Sequence, residues 1–516
     1  MLSSAEVINP SESRNRHADG KMNSVLRFAC AHMAILMRYF LMSMAAVAAA
    51  AAGVDALETR AAAQYVEAIN SGDRMTVQHY VTEHYDPAMF KRIPVGMVAA
   101  LHMASYYISG GLGYNFHSAT DTEGKGLGAV LQNRLTGAWV ELHLPTAPGA
   151  PEKLAGFPRL QPVSTPADAT APGKLSDEQI VARLEKCMHL LAADDEFAGV
   201  VLLSRNSEPL FQQPYGLASK SFQIPNQLDT KFNIASVGKV FTGVAIAQLA
   251  ERGALSFEDP VSKYLPADWL APEVAEKIQV RHLLTHTAGL GDYFRKLYGQ
   301  YDQLLFRDLE DYKMLVADET LSFEPGTRSA YSNAGMLLAG VVIEQVSGMS
   351  YFDYVREHIW KPAGMTNSGD WSKDQPVLNR AAGYTKEPTD SGARWWTNIV
   401  TRVMKGSPSG GCYSTGPDLL RFAIALRAHK LLSPEYTEIV LSGKPEINAP
   451  NAGYGFYVSE GAAGRIAQHS GDGRGINAEF SIYLDAGYTL IVLSNYNRPA
   501  ADIVEQVIHQ MLIAGH

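Results

Sequence analysis

The strand signal in this chain is split. Gly199–Ser204 and the stretch after Glu208 read as short apolar strands, and so do Glu479–Tyr483 and Tyr488–Asn495 near the other end. Strands of this length do not stand alone in water; they need partners and a covered face. Between the two strand-rich ends lies a long, mainly helical middle. A helix over about Ser176–Ala193 precedes the first strands, and one over about Ala500–Ile513 follows the last. The arrangement that satisfies all of this is one antiparallel sheet, covered by terminal helices, with a helical subdomain inserted between its halves.

This unit, residues 174–516, is the last of four segments. Residues 57–163 form a smaller unit in which helical stretches, around Ala61–Ile69 and then to about Tyr80, come before alternating runs such as Trp139–Leu144. Helices first and half-wet strands afterwards predict a small α+β domain. Residues 164–173, rich in Pro, Ala, Thr and Gly, read as an exposed linker. Residues 1–56 read as a leader. Its alanine-dominated apolar stretch, Tyr39–Gly53, has the length of a signal-peptide core rather than of a bilayer span. Met37-Arg38 supplies a start and a positive flank, with Met22 as another start, and Val54-Asp55-Ala56 supplies a cleavage site. A periplasmic or secreted location follows from this reading; an uncleaved membrane anchor is the alternative.

Composition excludes several classes. The balance of 44 Lys+Arg against 53 Asp+Glu leaves a net charge of −9, which argues against a nucleic-acid partner. Three cysteines in 516 residues exclude a disulfide framework and a cysteine-rich zinc fold. Cys187 and Cys412, the two beyond the leader, read as buried free thiols, with Cys412 near enough to the suspected cleft to suggest sensitivity to alkylation. The chain has no Gly-x-Ser-x-Gly elbow, no His-Glu-x-x-His and no Walker loop.

Three short patterns carry chemistry. Ser236 and Lys239 form a Ser-x-x-Lys at the head of an apolar helix, where residues three apart share a face. A desolvated lysine there has a lowered pKa and can take the serine proton. Tyr331-Ser332-Asn333 precedes a second apolar helix, Met336–Val346. A tyrosine beside a lysine ionises more easily and can act as base and then acid, while Asn333 can bond both a substrate amide and the lysine. His469-Ser470-Gly471 precedes the Glu479 strand. Its glycine lets substrate backbone approach an edge strand, and its histidine offers a donor or partial positive charge. Each pattern alone has a plainer reading: a helix cap, a core tyrosine, a turn histidine.

In this order, the three patterns resemble the serine β-lactamase-like and penicillin-binding superfamily, specifically the branch of class C β-lactamases, D-alanyl-D-alanine peptidases and family VIII esterases. The stretch Ile278–Leu290, the loop Glu324-Pro325-Gly326-Thr327 and the small-residue turn Ser409–Thr415 add to the resemblance. It implies a multidomain α+β chain with a β-lactamase/transpeptidase-like fold. The helix-Asn-Ser-Gly-Asp-helix opening of the first unit is similar to the cone-shaped NTF2-like fold, here in an accessory role.

The resemblance further implies an acyl-enzyme on Ser236. Lys239 and Tyr331 would share proton transfer, and the backbone N–H groups of Ser236 and Asp472 would form the oxyanion hole. Asn333, His469, Ser470 and Gly471 would contact a small-molecule or peptide acyl donor. No metal or cofactor is needed. His469 stands where β-lactamases carry the lysine of Lys-Thr-Gly, so peptide or ester cleavage is expected over β-lactam hydrolysis. A low-turnover penicillin-binding or sensor protein is the alternative. His282 and His286, spaced i, i+4, can be read as metal ligands but more simply as helix-end residues shaping the cleft wall. Trp395 and Trp396 read as packing residues.

Overall fold

The computed structural model describes residues 56–91, 93–120, 126–389 and 392–514. The expected leader lies outside them except for Ala56, the first residue of helix α1 (Ala56–Asn70). Helices α2 (Arg74–His84) and α3 (Val95–Ile108) follow, and then a five-stranded antiparallel sheet: β1 (Tyr114–Thr120), β2 (Gly126–Asn133), β3 (Trp139–Ala147), β4 (Ala150–Leu154) and β5 (Arg159–Pro162). Asp73 caps α2 by accepting from the Thr76 N–H, which explains why Asn-Ser-Gly-Asp separates the first two helices.

Helix α4 (Asp177–Ala193) opens with a reciprocal cap between Ser176 and Gln179. The strands at the two ends of the long unit meet as expected. In the order β10 (Tyr457–Gly461), β11 (Gly464–Gly473), β12 (Ile476–Tyr483), β13 (Tyr488–Ser494), β6 (Gly199–Arg205), β7 (Glu208–Tyr215), they form one six-stranded sheet, antiparallel throughout. Strand β13 joins β6 with Ile491 opposite Leu202. Both faces are dry around β6 and β13, which read as continuous apolar runs. Val200 and Leu202 of β6 enter one core together with Ile491 and Leu493 of β13. Val201 and Leu203, with Leu490 and Val492, enter the other.

The first core belongs to the helical insertion: α5 (Lys239–Glu251), α6 (Val280–Leu284), α7 (Asn333–Ser347) and α8 (Gly416–Arg427), among shorter helices, with the hairpin β8 (Tyr384–Thr389) and β9 (Gly392–Thr397) between α7 and α8. Helix α5 is predominantly apolar because it is buried on every side up to its last residue, Glu251. The second core is covered by α4, by the last helix α9 (Ala500–Ile513) and by the N-terminal unit, which shares this core with them. The Asn133 Nδ2 donates to Gln510 of α9 at 2.7 Å. Among the described residues no single helix is long and apolar enough to cross a membrane.

Candidate active site

The nucleophile candidate sits on a strained turn where sheet and helical insertion meet. Ser236 lies in a 3-10 turn, Ala235–Gly238, and α5 begins only at Lys239. The shared α-helical face expected for Ser236 and Lys239 is therefore the face of a tighter turn, which brings residues three apart almost into line. Ala235 has φ of +43°, left-handed for a residue with a Cβ, a conformation that persists only when its surroundings impose it. Those surroundings are the strap 407–412. The Gly411 N–H donates to the Ala235 carbonyl at 3.0 Å and the Ile234 N–H to the Cys412 carbonyl at 3.0 Å. Asn233 bonds both the Ala235 N–H (3.0 Å) and the Gly411 carbonyl (2.8 Å). A Cβ on Gly410 would lie 2.2 Å from the Ala235 oxygen, so only glycine fits there.

Lys239 is fully buried. Its Nζ lies 3.0 Å from Ser236 Oγ and 2.8 Å from Asn333 Oδ1, and it also bonds the Ser409 carbonyl. Burial lowers its pKa from 10.5 to about 7, with Asp292 opposing the shift. Two of its three partners are pure acceptors. A neutral amine would give both its protons to them and turn its lone pair toward Ser236 Oγ. That is the arrangement of a base poised near neutrality.

Tyr331 is held by the segment before α7. The Ser332 hydroxyl caps that helix through the Gly335 N–H (2.9 Å) and donates to the Gly291 carbonyl (2.8 Å), which leaves Tyr331 just outside the helix and Asn333 as its first residue. The Tyr331 hydroxyl donates to Ser236 Oγ at 2.8 Å. The expected easing of its ionisation does not occur. Desolvation at the cleft drives its pKa upward, only partly offset by Ser236, although the residue is 40% exposed, and Lys239 Nζ lies 4.9 Å from the centroid of its ring. These shifts favour Lys239 over Tyr331 as the acceptor of the Ser236 proton.

His469 also departs from expectation. It is 2% exposed, and burial, reinforced by Lys239, lowers its pKa to about 3. It carries no positive charge at neutral pH and is not among the residues that line the cleft. Its Nδ1 donates to the Ser470 carbonyl at 2.7 Å, leaving Nε2 a buried acceptor without a partner among the described residues. The strand bearing Gly471 is second in the sheet, not its edge. Its outer neighbour, however, pairs only as far as Gln468, so His469–Gly473 presents an open edge. A Cβ on Gly471 would lie 2.3 Å from the Ile234 oxygen. The glycine thus admits the nucleophile's own turn rather than substrate backbone. Ser470 and Asp472 are exposed at this edge, and Asp472 lines the same cleft as Ser236.

The two histidines of Arg281–His286 are committed to backbone. His282 Nδ1 accepts from the Gln279 N–H (3.1 Å) and His286 Nδ1 from the Ser332 N–H (3.2 Å). His286 also packs its ring 4.5 Å from that of Tyr331. No group of metal-ligating side chains occurs among the described residues. Cys412 is buried and its thiol is pushed up to about 12, which removes the expected sensitivity to alkylation; Cys187 is likewise a buried free thiol. Trp395 packs 4.5 Å from Tyr496, while Trp396 is half exposed and bonds Glu387.

Sequence patterns did not reveal the second tier of the site. Tyr293, buried, bonds Ser409 Oγ at 2.6 Å and Ser407 Oγ at 3.1 Å, and so fixes the carbonyl that receives Lys239. Ser409-Gly410-Gly411 was the available signal for the strap, but nothing local marks Tyr293. The cleft beside Ser236 encloses about 690 Å³ and is lined by Tyr293, Phe294, Tyr298, Arg402, Asp472 and Arg498, among others.

Comparison with known proteins agrees with this geometry. The family described as Beta-lactamase matches residues 183–513. A penicillin-binding protein of Bacillus subtilis is 31% identical over 328 residues, 60% of this chain and 71% of that protein. The Esterase EstB of Burkholderia gladioli is 29% identical over 336 residues, 58% of this chain and 85% of the esterase. The crystal structure of a penicillin binding protein from Bacillus halodurans superposes with a TM-score of 0.56 at 31% identity, covering 62% of this chain and 98% of that one.

Proposed function

The chain belongs to the beta-lactamase family of serine hydrolases, and on that premise we propose that it cleaves an ester or peptide bond outside the cytoplasm through an acyl-Ser236 intermediate. The observation that carries this reading is the contact of Ser236 Oγ with both the desolvated Lys239 amine and the Tyr331 hydroxyl. In acylation the Ser236 proton passes to Lys239 Nζ as Oγ bonds to the carbonyl carbon. The resulting oxyanion is received by the N–H groups of Ser236 and Asp472. Asn333, whose Oδ1 is held by Lys239, offers its NH2 end to the substrate. Tyr331 gives its proton to the departing alkoxide or amine, and the Lys239 ammonium returns one to the tyrosinate, so that amine and phenol are both restored before water enters. Water then attacks the ester, losing its proton to Lys239, and Ser236 leaves reprotonated.

The neutral, buried His469 supports ester or peptide cleavage over β-lactam hydrolysis, because it lacks the fixed charge of a lysine. The relatives' printed names, a penicillin-binding protein and an esterase, fit the same range. The apolar stretch Tyr39–Gly53 supports export to the periplasm or medium. Mass spectrometry after brief exposure to a p-nitrophenyl ester, nitrocefin or a D-alanyl peptide tests the reading, with Ser236→Ala in parallel. An adduct on Ser236 and turnover of the ester or peptide, both lost in Ser236→Ala, are expected. Turnover that survives in Ser236→Ala refutes the nucleophile, and preferential turnover of nitrocefin refutes the substrate class.

A further inference from the structure

Helix α3 is apolar on two faces. Val98, Ala99 and Met103 enter the core that the N-terminal unit shares with α4 and α9. Met97, Leu101 and Ala104 recur at i, i+4 and i+7 on the opposite side, and they wall a second cavity, of about 240 Å³. Its other wall belongs to the long unit and includes Tyr496 and Ile503. The cavity thus lies where the two units meet, and its α3 wall is outside the residues 183–513 that match the family. The charges around it do not cancel. Glu196 is the one acid in the lining and is paired with Lys386 at 2.6 Å. Arg498 is paired with Asp502. Asp194, nearby but outside the lining, accepts from the Tyr107 hydroxyl at 3.2 Å. Arg74, the first residue of α2 and part of the lining, has no ion pair among the described residues. It makes only a long bond, 3.5 Å, to the Gly96 carbonyl.

Apolar walls and one guanidinium without an acid of its own fit a molecule with an apolar chain and an anionic end. At the ~30 Å³ that one water takes up in the liquid, 240 Å³ holds about eight non-hydrogen atoms. We propose that this junction binds a single-chain carboxylate of about eight carbons, its head on Arg74 and its chain along Met97, Leu101 and Ile503, and that its occupancy lowers KM at the catalytic cleft. The effect on KM rests on the acyl-serine reading above; the binding does not. The two cavities share a stretch of chain. Asn497 and Arg498 line both the junction and the Ser236 cleft. Asn497 Oδ1 also accepts from the backbone N–H of Lys386 at 3.0 Å, next to Thr385 of the cleft lining. A chain packed against this stretch restricts it before substrate arrives, so substrate binding gives up less freedom. It touches none of Ser236, Lys239 and Tyr331, so kcat should stay.

The test is titration calorimetry of the full chain with sodium octanoate, kept below its micelle concentration, and with 1-octanol. One octanoate per chain is expected, bound about tenfold tighter than octanol at low salt, the scale of one charge-assisted hydrogen bond. The difference should shrink as salt screens it. Arg74→Gln should weaken octanoate by about fivefold or more and leave octanol unchanged. Ala104→Leu, which fills the cavity, should weaken both. Arg74 is half-buried and unpaired, so its variant remains informative even if Ala104→Leu misfolds. Arg474→Gln is the control for octanoate seated in the catalytic cleft, which exposed Arg474 lines, and it should not alter binding. Saturating octanoate should also lower KM for p-nitrophenyl acetate by about fivefold, the low end of ordinary coupling between sites. That effect should leave kcat unchanged and be lost in Arg74→Gln. Absence of saturable octanoate binding, binding unmoved by Arg74→Gln, or an equal loss in Arg474→Gln overturns the site. A KM that does not move, or that rises as it would for a competitor in the cleft, overturns the link between the cavities. Failure of the wild type to hydrolyse the ester overturns the acyl-serine reading and that link with it, while calorimetry still decides the site.

Discussion

If Lys239 is the acylation base, its protonation must be visible in the rate. Its pKa of about 7 means that half the molecules hold the reactive amine at pH 7. Each unit of pH below that costs about a factor of ten, so kcat/KM at pH 5 should be about one hundredth of its plateau. Asp292 is the one group that opposes the shift, by favouring the ammonium. Asp292→Asn removes that charge while keeping an oxygen for the Phe294 N–H, which Asp292 now accepts at 3.0 Å. The Lys239 pKa must then fall further, and the acid limb should move to lower pH. A shift of about half a unit, near 0.7 kcal/mol, is the scale for one exposed charge acting on a buried one, and it makes the variant about threefold faster than wild type at pH 5. The assay is hydrolysis of p-nitrophenyl acetate from pH 5 to 10, read where nitrophenol and nitrophenolate absorb equally. A flat profile from pH 5 to 9 refutes the assignment. So does an acid limb near pH 10 that vanishes in Tyr331→Phe, or a limb that moves upward in Asp292→Asn. The outcomes separate the two bases because desolvation brings Lys239 down to about 7 and moves Tyr331 upward, away from it.

The same burial should appear as stability. The Lys239 pKa is lower in the folded chain than in the unfolded one, so between pH 7 and 10.5 the unfolded state binds the extra proton and stability rises with pH; below about pH 7 the full penalty, at most roughly 5 kcal/mol, is present. Lys239→Met removes that penalty but leaves the Ser409 carbonyl and Asn333 Oδ1 without their donor, a cost of about 1–3 kcal/mol each. A net rise of about 2–4 °C in Tm at pH 6 is expected, shrinking or reversing at pH 9.5; a gain that grows with pH would contradict the sign. Gly471→Ala places a methyl 2.3 Å from the Ile234 oxygen, with only Ile234 backbone and the Ala235 Cβ beside it and no flexible side chain to yield. It should cost about 1–3 kcal/mol and more than tenfold in kcat/KM by shifting the nucleophile turn. Gly461→Ala, on the neighbouring strand with open space around it, should leave both Tm and rate near wild type, and equal effects of the two would refute the close-approach argument.

How much of this was legible in the sequence depended on whether the determining partners were near in the chain. The helix Asp177–Ala193 begins one residue after its Ser176 cap, and the expected final helix and the observed one coincide at Ala500–Ile513. The split sheet was legible because β6 and β13 are apolar on both faces and β12 on one. Ser236, Lys239, Tyr331 and Asn333 were legible as short patterns, and the structure brings all four within one hydrogen-bonded cluster. Protonation was not legible. A histidine in His-Ser-Gly is an ordinary turn residue until burial beside Lys239 removes its charge, and the tyrosine of Tyr-Ser-Asn sits beside a lysine that faces its ring and not its oxygen. Arg402 carries no local signature at all. It donates to Asn233 and lines a cleft assembled by segments far apart in the chain.

The location of the site follows from the same packing. A nucleophile turn with left-handed Ala235 cannot hold its shape alone, and here it is clamped from two sides that belong to different halves of the fold. From the sheet side, Gly471 lets the open end of β11 come against the Ile234 carbonyl; from the helical insertion, Gly410 lets the strap come against the Ala235 carbonyl. Either glycine replaced by a larger residue would push one half away from the turn. The donors expected at the oxyanion hole sit one on the turn and one on β11, so they keep their spacing only while that clamp is closed. Lys239 reads the other jaw, since its Ser409 partner belongs to the strap and its Asn333 partner to α7. Base and oxyanion hole are thus coupled through the seam between sheet and insertion.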